Sequence, residues 1–381
     1  DSKSIAMRNL FVVGAGLFGS IIAEQASRDG YYVTVIDQRD HIGGNCYTEF
    51  DAETGINVHR YGPHIFHTDN QMVWDYICQF TEFNDYRHQA KSQYRGEVYP
   101  LPINLETINK FFHRQMTPTE ATEFLELKKI PYLNAKNFEQ QALSMVGVEL
   151  YEAFLRPYAI KQWGRDPTEL PASIIQRLPV HTNYSTEYYP HNKKYQGIPV
   201  DGYTPIFEKM LSHENITVHL NTRWADMKPK IKNELVVYTG PIDAYFDYCY
   251  GQLNWRTLDI EFTRETVDDY QGCVMMSHPE STVPYTRAIE HRHFHPERKH
   301  TPGASIVSRE YSRAATRDDI PYYPVNTNED RDKYARYQEL AEAERDVIFG
   351  GRLGEYKYYD MHQVIGSALA CYRNRIKERL T

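Results

Sequence analysis

Cysteines are few in this chain of 381 residues, and other features that mark whole classes of protein are missing. The five cysteines are scattered and form no Cys-x-x-Cys pair, which argues against a disulfide framework or a zinc site and favours a reducing compartment. No apolar run approaches the ~18 residues that span a bilayer. The mixed polar residues 1–10 predict no signal peptide, so the expected location is the cytoplasm.

Positive charge is also lacking. The net charge of −8 gives no electrostatic support to a nucleic-acid role, and an anionic substrate would need a local basic site. Hydrophobic residues at 41% and charged residues at 25% indicate a soluble globular protein with room for two or three packed units. The 31 tyrosines suit either half-buried sheet or a polar aromatic cavity for a sugar nucleotide, and composition does not separate the two.

The first forty residues predict a βαβ unit. An apolar strand over 10–13 leads into Gly14-Ala15-Gly16-Leu17-Phe18-Gly19, a helical pattern follows over 20–28, and the strand over 32–36 ends at Asp37. In this arrangement Gly14 allows the tight turn, Gly16 lets the backbone approach a pyrophosphate, and Gly19 lets helix and strand pack closely. Asp37 accepts from a ribose hydroxyl, so a dinucleotide site is predicted.

Two further elements favour FAD over NAD. Just past Asp37, the run Gln38-Arg39-Asp40-His41-Ile42-Gly43-Gly44-Asn45 offers a second close backbone approach to phosphates, with Arg39 for charge. Near the C-terminus an apolar strand over 347–349 is followed by Gly350-Gly351-Arg352, and Asp360-Met361 opens the last helix, whose N-terminus could face the flavin. Together with the first glycine motif, they predict an FAD domain.

Between the two predicted FAD-binding segments the predicted secondary structure changes from helices to loops and then to strands. Helical patterns cover 71–84, 105–113, 118–128, 138–160 and 332–344, a hairpin turns near Arg95-Gly96, and residues 164–205 suggest loops. Strands are expected at 216–220 and 235–238, and short alternating segments over 255–313 indicate an antiparallel sheet. The predicted fold class is α/β, with a discontinuous Rossmann-like FAD domain, an inserted helical domain and an antiparallel sheet domain. The FAD domain takes 1–70, 200–250 and 340–381; the helical domain takes 71–85 and 101–165; the sheet domain takes 86–100, 166–199 and 251–339.

Eight short segments carry a resemblance along nearly the whole chain. They are residues 36–45, 61–68, 101–104, 160–164, 177–179, 283–287, 320–324 and 351–361. In this order they resemble the bacterial UDP-galactopyranose mutase family. The resemblance implies a glutathione-reductase-like FAD domain, a helical domain that usually also forms a homodimer contact, and a six-stranded antiparallel sheet.

The resemblance also implies a reaction. Reduced FAD is a covalent catalyst with no net redox change: flavin N5 attacks the anomeric carbon of galactose, UDP leaves, and the adduct recloses as the five-membered ring. UDP-galactopyranose and UDP-galactofuranose are thereby interconverted, which supplies galactofuranose for cell-surface polysaccharide. NAD(P)H or another reductant is expected upstream.

Substrate residues follow from the resemblance. Arg177 and Arg287 stabilise the departing pyrophosphate, a task that suits forked guanidinium donors. Arg177 lies in a mobile lid over 171–199, and Trp163 lies beside the sugar. The uridine pocket takes Phe154, Leu155 and Tyr158, where Leu155 replaces a common aromatic. Tyrosines match those that bind the phosphates, namely Tyr184, Tyr188, Tyr323 and Tyr358.

Cofactor residues and a catalytic histidine complete the predicted site. The resemblance implies that His64, Ile65 and His67 lie against the isoalloxazine ring, and His67 is a candidate for a direct catalytic role. The expected FAD contacts are Gly14, Gly16, Leu17, Phe18, Gly19, Asp37, Gln38, Gly43, Gly44, Asn45, His64, Ile65, Arg352, Tyr359, Asp360 and Met361.

A run of alternating histidines raises the possibility of zinc. His291, His293 and His295 would share one face of a strand. No carboxylate or cysteine completes the set at a suitable spacing, so a solvated strand edge and no metal are predicted.

Two other uses of the same fold stay open. A flavin amine oxidase or desaturase would share the FAD signals but have a drier substrate channel. A GDP dissociation inhibitor of small GTPases would bind a protein partner without flavin. Neither accounts for two separated arginine segments together with Gln162-Trp163-Gly164.

Overall fold

The structure is a computed structural model that describes residues 9–191 and 194–380, so the start of the chain on which the signal-peptide prediction depends lies outside the described residues, as do residues 192–193 in the predicted lid. The strands are β1 (Leu10–Val13), β2 (Val33–Ile36), β3 (Thr48–Phe50), β4 (Asn57–His59), β5 (Phe66–Thr68), β6 (Ala90–Tyr94), β7 (Glu97–Leu101), β8 (Tyr195–Gly197), β9 (Ile216–His219), β10 (Leu235–Tyr238), β11 (Trp255–Glu265), β12 (Met275–Ser277), β13 (Arg287–Glu290), β14 (Ser305–Ala314), β15 (Tyr323–Pro324) and β16 (Val347–Phe349).

The α-helices are α1 (Leu17–Arg28), α2 (Gln71–Ile77), α3 (Leu105–Phe112), α4 (Pro118–Lys128), α5 (Phe138–Val146), α6 (Val148–Leu150), α7 (Arg156–Trp163), α8 (Ser173–Gln176), α9 (Thr204–Met210), α10 (Trp224–Met227), α11 (Ile242–Tyr245), α12 (Asn328–Ala343), α13 (Gly351–Gly354), α14 (Met361–Cys371) and α15 (Lys377–Leu380). Within the part of the chain that the structure describes, no helix is long and apolar enough to cross a bilayer.

The Rossmann-like unit is a five-stranded parallel sheet. Its order is β16-β10-β1-β2-β9, so strands from the beginning, middle and end of the chain lie side by side. Helices α1 and α14 pack on one face, and α11 and α12 contribute to the core on the other. Leu10, Val12, Val35 and Val237 are fully buried, as expected of a parallel sheet covered on both faces. This confirms the predicted fold class, with the FAD-type sheet completed by the C-terminal strand.

The second sheet has seven strands in the order β15-β11-β14-β13-β12-β6-β7, not the six that the resemblance implied. All its pairs are antiparallel except β12 with β6, which run parallel. The hairpin β6–β7, which turns at Arg95-Gly96 as predicted, joins the sheet at this edge because Ala90 pairs with Met275. The helical layer is thereby attached directly to the sheet.

The helical layer contains α3 to α8 around one apolar core. Asn104, Thr117 and Asn137 each cap the helix that follows by accepting a backbone N–H, which explains the predicted helix starts. The single helix predicted over 138–160 is wrong, because Gly147 interrupts it with a left-handed φ of 79°. A Cβ at Gly147 would lie 2.6 Å from the carbonyl oxygen of Lys128, the last residue of α4. The end of α5 therefore approaches α4 at a point where only glycine fits.

The prediction of a solvated edge for the alternating histidines is wrong. Residues His291–Phe294 form a 3-10 turn after β13, so the three rings do not share a strand face. His291 and His295 are buried, and His293 pairs with Asp269 and Glu290. The alternation failed as a guide because β13 ends one residue before the run begins.

Acid pH is expected to destabilise the fold through its buried histidines. Burial lowers the pKa of His291 to about 3, followed in effect by the charge of Arg60. The folded chain keeps His291 neutral, whereas the unfolded chain binds a proton there below pH ~6.5. The free energy of unfolding is therefore highest above pH ~6.5 and falls by about 1.4 kcal/mol per pH unit below it, down to the folded pKa. The check is the melting temperature at pH 7 and pH 5.

A matched pair of variants isolates the contribution of His291 to this pH dependence. His291→Gln is expected to have a smaller drop in melting temperature between pH 7 and pH 5 than the parent chain, whereas the exposed His219→Gln keeps the parent drop. Equal drops in all three proteins would show that His291 does not carry the effect.

Candidate active site

One large cleft of about 500 Å³ runs along the carboxyl ends of the parallel strands. Strands β1, β2 and β10 end at its wall with Gly14, Asp37 and Thr239. This edge is where open parallel sheets bind ligands. The cleft continues to the second sheet, where Arg287 and Tyr323 line it. It therefore joins a dinucleotide end to an arginine- and tyrosine-rich end.

The glycines at the dinucleotide end have three different reasons to lack a side chain. Gly14 has φ of 108°, and a Cβ there would lie 2.0 Å from Thr239 Oγ1. At Gly19 a Cβ would lie 2.0 Å from the Gly14 carbonyl oxygen, so α1 packs against β1 only with glycine there. Gly16 directly precedes α1 and has φ of −80°, and a Cβ there would have Gly44 Cα as its nearest neighbour at 3.8 Å. The protein itself leaves space at Gly16, which fits a ligand approaching the backbone.

Asp37 ties the glycine loop to the second glycine pair. Its carboxylate accepts from the Ala15 N–H at 2.8 Å and the Arg39 N–H at 2.9 Å. The Gly43 N–H donates to the Ala15 carbonyl at 2.9 Å, which holds the two loops together. Each Asp37 oxygen keeps a lone pair for a ribose hydroxyl, so the donor and acceptor set suits the role predicted for this residue.

Two arginines in the cleft have nitrogen atoms that the protein does not satisfy. Arg39 donates to Asn45 Oδ1 at 2.8 Å and lies over the Tyr61 ring, and its buried Nη1 has no partner among the residues described. Arg352 donates to the Tyr322 carbonyl, and its buried Nε is likewise unpartnered within 9–191 and 194–380. Buried guanidinium donors without partners fit the negative charge of a dinucleotide pyrophosphate. The cleft residues therefore fit FAD.

The C-terminal element closes the cleft as the sequence predicts. Asp360 precedes α14, and its N–H donates to Gln363 Oε1 at 2.8 Å. A Cβ at Gly350 would lie 2.3 Å from the Phe18 ring, so β16 and the start of α1 are in close contact. The predicted cofactor residues on the cleft wall are Gly14, Gly16, Leu17, Phe18, Asp37, Gln38, Gly43, Gly44, Asn45, His64, Ile65, Arg352, Tyr359, Asp360 and Met361.

Arg287 dominates the other end of the cleft. It begins β13, and its Nε donates to Glu310 Oε1 at 2.8 Å, with only 1% of the Glu310 side chain exposed. Burial alone would lower the pKa of Arg287, but Glu310 and nearby tyrosines raise it well above the usual value. The guanidinium is thus a permanent cation that is anchored by Glu310, contacts Met275 Sδ through Nη1 at 3.5 Å and lines the cleft where a ligand can reach it.

Tyrosines surround this cation. Tyr158, Tyr188 and Tyr323 are close enough to Arg287 for its charge to act on the pKa of each. Burial nevertheless raises the pKa of Tyr158 to about 12 and also raises that of Tyr323, so both stay protonated donors. The Tyr323 and Tyr358 rings lie 5.7 Å apart. Phenol donors around an arginine can bind the oxygens of a diphosphate.

Lys161 connects the helical layer to the loop that precedes Arg287. Its Nζ donates to the carbonyls of His278, of Glu280 at 2.9 Å, of Val283 at 2.8 Å and of Tyr285 at 3.0 Å. Lys161 lies on α7, the helix that also carries Tyr158 and Trp163. The lysine therefore holds α7 and the start of β13 in one arrangement.

The histidine segment reaches the cleft as expected. His67 is 6% exposed and stacks on Tyr189 with ring centroids 3.6 Å apart. His64 and Ile65 line the wall. His67, Asp360 and His362 are one group whose atoms could hold a metal ion, and Asp269, Glu290 and His293 are another. The second group is already satisfied by hydrogen bonds, and the expected absence of a metal stays a prediction.

Several predicted substrate residues lie off the cleft wall. Phe154 and Leu155 are buried in the core of the helical layer. Trp163 contacts Tyr323 with centroids 6.1 Å apart, just beyond the wall. Tyr184 is 67% exposed, and Arg177 is an exposed residue at the end of α8. Burial lowers the pKa of His362, Asp360 opposes this shift, and the charge of Arg177 adds to it. The predicted lid supplies Tyr188 and Tyr189 to the cleft but not Arg177 or Tyr184.

Some cleft residues escaped sequence reasoning. The loop after β10, Thr239 and Gly240, completes the glycine cradle, and the Thr239-Gly240-Pro241 turn following an apolar strand was the available signal. His88 and Trp224 also line the wall. Each is an isolated residue outside any motif, so the sequence carries no signal for it.

Comparison with known proteins gives a consistent result. The sequence model described as UDP-galactopyranose mutase matches residues 153–358, and that of an NAD(P)-binding Rossmann-like domain matches residues 12–80. The chain is 46% identical to a probable UDP-galactopyranose mutase of Klebsiella pneumoniae, over 95% of this chain and 93% of that protein. It is 43% identical to dTDP-fucopyranose mutase of Escherichia coli, over 97% and 99% of the two chains. A crystal structure of reduced UDP-galactopyranose mutase shares the fold, with a TM-score of 0.74 at 14% identity over 98% of this chain and 95% of that one.

Proposed function

Because the chain belongs to the UDP-galactopyranose mutase family, we propose that it interconverts UDP-galactopyranose and UDP-galactofuranose. The chain is an isomerase, and FAD is its cofactor. One observation carries the proposal: a single cleft joins a glycine cradle with unsatisfied arginine nitrogens to a second cation, Arg287, surrounded by protonated tyrosines. A dinucleotide and a nucleotide sugar both need such groups.

Reduced FAD, when bound, supplies the nucleophile for the anomeric carbon without net oxidation of the sugar. Gly16 and Gly44 let the backbone approach its pyrophosphate, and Arg39 and Arg352 offer charge to it. Asp37 accepts from its ribose. His64 and Ile65 are proposed to position its ring system at the junction of the two sheets.

The protein groups at the other end act on the leaving group. Arg287 stabilises the charge that develops on UDP when the glycosidic bond breaks, and at ~4 Å one such pair contributes about 4 kcal/mol at an effective dielectric constant of 20. Tyr188, Tyr323 and Tyr358 donate to the phosphate oxygens. The same groups hold UDP in place for its return to the reclosed sugar, which keeps the isomerisation within one site.

The residues off the wall are proposed to join the site when the lid segment moves. Arg177 would then bring a second cation to the diphosphate, and Tyr184 a further donor. Tyr158 and Trp163 are proposed to contact the uridine and the sugar, whereas Phe154 and Leu155 support Tyr158 from the buried side of its helix. His67 is proposed as a catalytic contact near the flavin.

The biological setting is part of the proposal. The product would supply galactofuranose for cell-surface polysaccharide, from an enzyme in the cytoplasm. The homodimer is also proposed, and it would cover apolar side chains such as Leu127, which is 88% exposed on the helical layer.

The test is conversion under reduction. The purified protein should have a yellow flavin spectrum, and anaerobic incubation with UDP-galactofuranose should give UDP-galactopyranose with dithionite and none without it, as measured by chromatography. A parallel incubation with dTDP-fucofuranose decides between the substrates named for the two relatives. Bound flavin without conversion of either nucleotide would contradict the proposal. In a separate incubation in air without dithionite, oxidation of the substrate with release of hydrogen peroxide would favour an oxidase. Colourless protein would favour the non-enzymatic alternative.

A further inference from the structure

His88 is a buried side chain of the cleft wall that has no part in the function proposed above. It precedes β6 and is 2% exposed, yet it lines the cleft together with His67, Tyr188 and Arg287. Its backbone N–H donates to Gln196 Oε1 at 2.6 Å, which fixes the main chain. The ring is therefore held on the cleft wall by a fixed main chain.

The two ring nitrogens of His88 are in different situations. Nδ1 lies 2.9 Å from the Tyr86 hydroxyl. Nε2 is buried and has no hydrogen-bond partner among the residues that the structure describes. A polar atom in this position costs stability unless a ligand or water satisfies it.

The ring of His88 is neutral, and its free nitrogen can bond in either tautomer. Burial lowers the pKa of His88 to about 3, followed in effect by Arg287 and His67, so the ring carries no charge at physiological pH. Nδ1 and the Tyr86 hydroxyl can each be the donor of their hydrogen bond, so Nε2 is the donor in one tautomer and the acceptor in the other. In both tautomers the unpartnered atom is a neutral hydrogen-bonding group.

A neutral ring nitrogen of either tautomer suits a ligand hydroxyl, which can both donate and accept. The charged parts of a nucleotide sugar are its phosphates, and the cleft already offers Arg287 and protonated tyrosines to them. The Tyr188 ring lies edge-on to the His88 ring with centroids 4.5 Å apart, so His88 neighbours the predicted phosphate ligand Tyr188. The uncharged hydroxyl groups of the sugar are the ligand groups left without a partner.

We propose that His88 binds the sugar ring through a hydrogen bond between Nε2 and one of its hydroxyl groups, and so orients the sugar relative to the flavin. This inference rests on the proposed function, since it presumes a nucleotide sugar in the cleft. His88 is then a substrate-binding residue that distinguishes a nucleotide sugar from the nucleotide alone.

Two amide variants differ only in reach. In His88→Gln the amide reaches the position of Nε2, whereas in His88→Asn it reaches only that of Nδ1, near Tyr86. The dissociation constants for UDP-galactose and for UDP are measured by calorimetry on the flavin-loaded protein. His88→Asn is expected to weaken UDP-galactose binding about 3- to 10-fold, the loss of one neutral hydrogen bond, and to leave UDP binding unchanged. His88→Gln is expected to bind both as the parent does.

The outcomes separate the alternatives. Equal weakening of UDP and UDP-galactose in His88→Asn, or unchanged binding of both, would overturn the assignment. A shifted flavin absorbance spectrum with unchanged UDP-galactose binding would assign Nε2 to the cofactor instead and overturn it too. If His88→Asn does not fold, His88→Phe takes its place with the same expected loss. Failure of the proposed function would appear in the parent protein, which would not convert UDP-galactofuranose; if the parent acts on dTDP-fucose, that nucleotide sugar and dTDP replace the two ligands.

Discussion

The Arg287→Ala variant is expected to lose at least about 10³-fold in kcat/KM for the nucleotide sugar. One charge pair at ~4 Å in a partly buried site contributes about 4 kcal/mol, and each 1.36 kcal/mol is a factor of ten in rate. The charge on the departing diphosphate develops in the transition state, so the loss should appear in kcat more than in KM. Steady-state kinetics with dithionite-reduced enzyme measures both.

The same substitution should also destabilise the fold, and a control separates the two effects. Removing the guanidinium leaves Glu310 buried without its cation, which costs about 3–5 kcal/mol. In the double variant Arg287→Ala/Glu310→Gln an uncharged amide replaces this carboxylate, so most of the stability should return while the activity stays lost. A double variant within tenfold of the parent rate would contradict the role given to Arg287.

The Gly16→Ala variant is expected to bind FAD about 5- to 150-fold more weakly while the flavin-free protein keeps its stability within about 1 kcal/mol. A Cβ at Gly16 meets no protein atom closer than 3.8 Å, and φ of −80° suits alanine. The methyl group would instead intrude where a pyrophosphate approaches, and such overpacking costs about 1–3 kcal/mol. Titration of deflavinated protein with FAD, followed by flavin fluorescence, gives the dissociation constant.

Gly19→Ala is the matched control three residues further on. Its Cβ would lie 2.0 Å from the Gly14 carbonyl oxygen and 3.0 Å from Val12 Cγ1, so this variant should lower the melting temperature even without flavin. If Gly16→Ala binds FAD as tightly as the parent, or loses flavin only in proportion to lost stability, the role given to Gly16 is wrong.

Local signals in the sequence predicted the parts of the fold that local interactions decide. The βαβ unit, the helix starts after Asn104 and Thr117, and the hairpin at Arg95-Gly96 all depend on caps, turns and periodicity within about ten residues. The helix over 138–160 failed because the break at Gly147 is imposed by the Lys128 carbonyl, which belongs to another helix. The parallel pairing of β6 with β12 was not predicted, since the two strands are remote in sequence.

The candidate site divides in a similar way. The cofactor end was predictable because its residues form contiguous motifs whose backbone geometry is fixed by glycine. The substrate end came from family resemblance, since a single arginine or tyrosine in a loop has no signature of its own. His88 was not predicted, because only the folded structure puts its Nε2 in the cleft and leaves it without a partner.

The strand order of the parallel sheet has a consequence for synthesis on the ribosome. Strand β1 emerges first, but one of its two neighbours, β10, follows more than two hundred residues later, and β16 closes the edge only near the C-terminus. Until then the nascent chain exposes unpaired strand edges and an incomplete cofactor cradle. Flavin can therefore meet a complete cradle only after β16 and the cleft residues that follow it have been translated, and a message truncated before β16 would yield a product without a complete cofactor site.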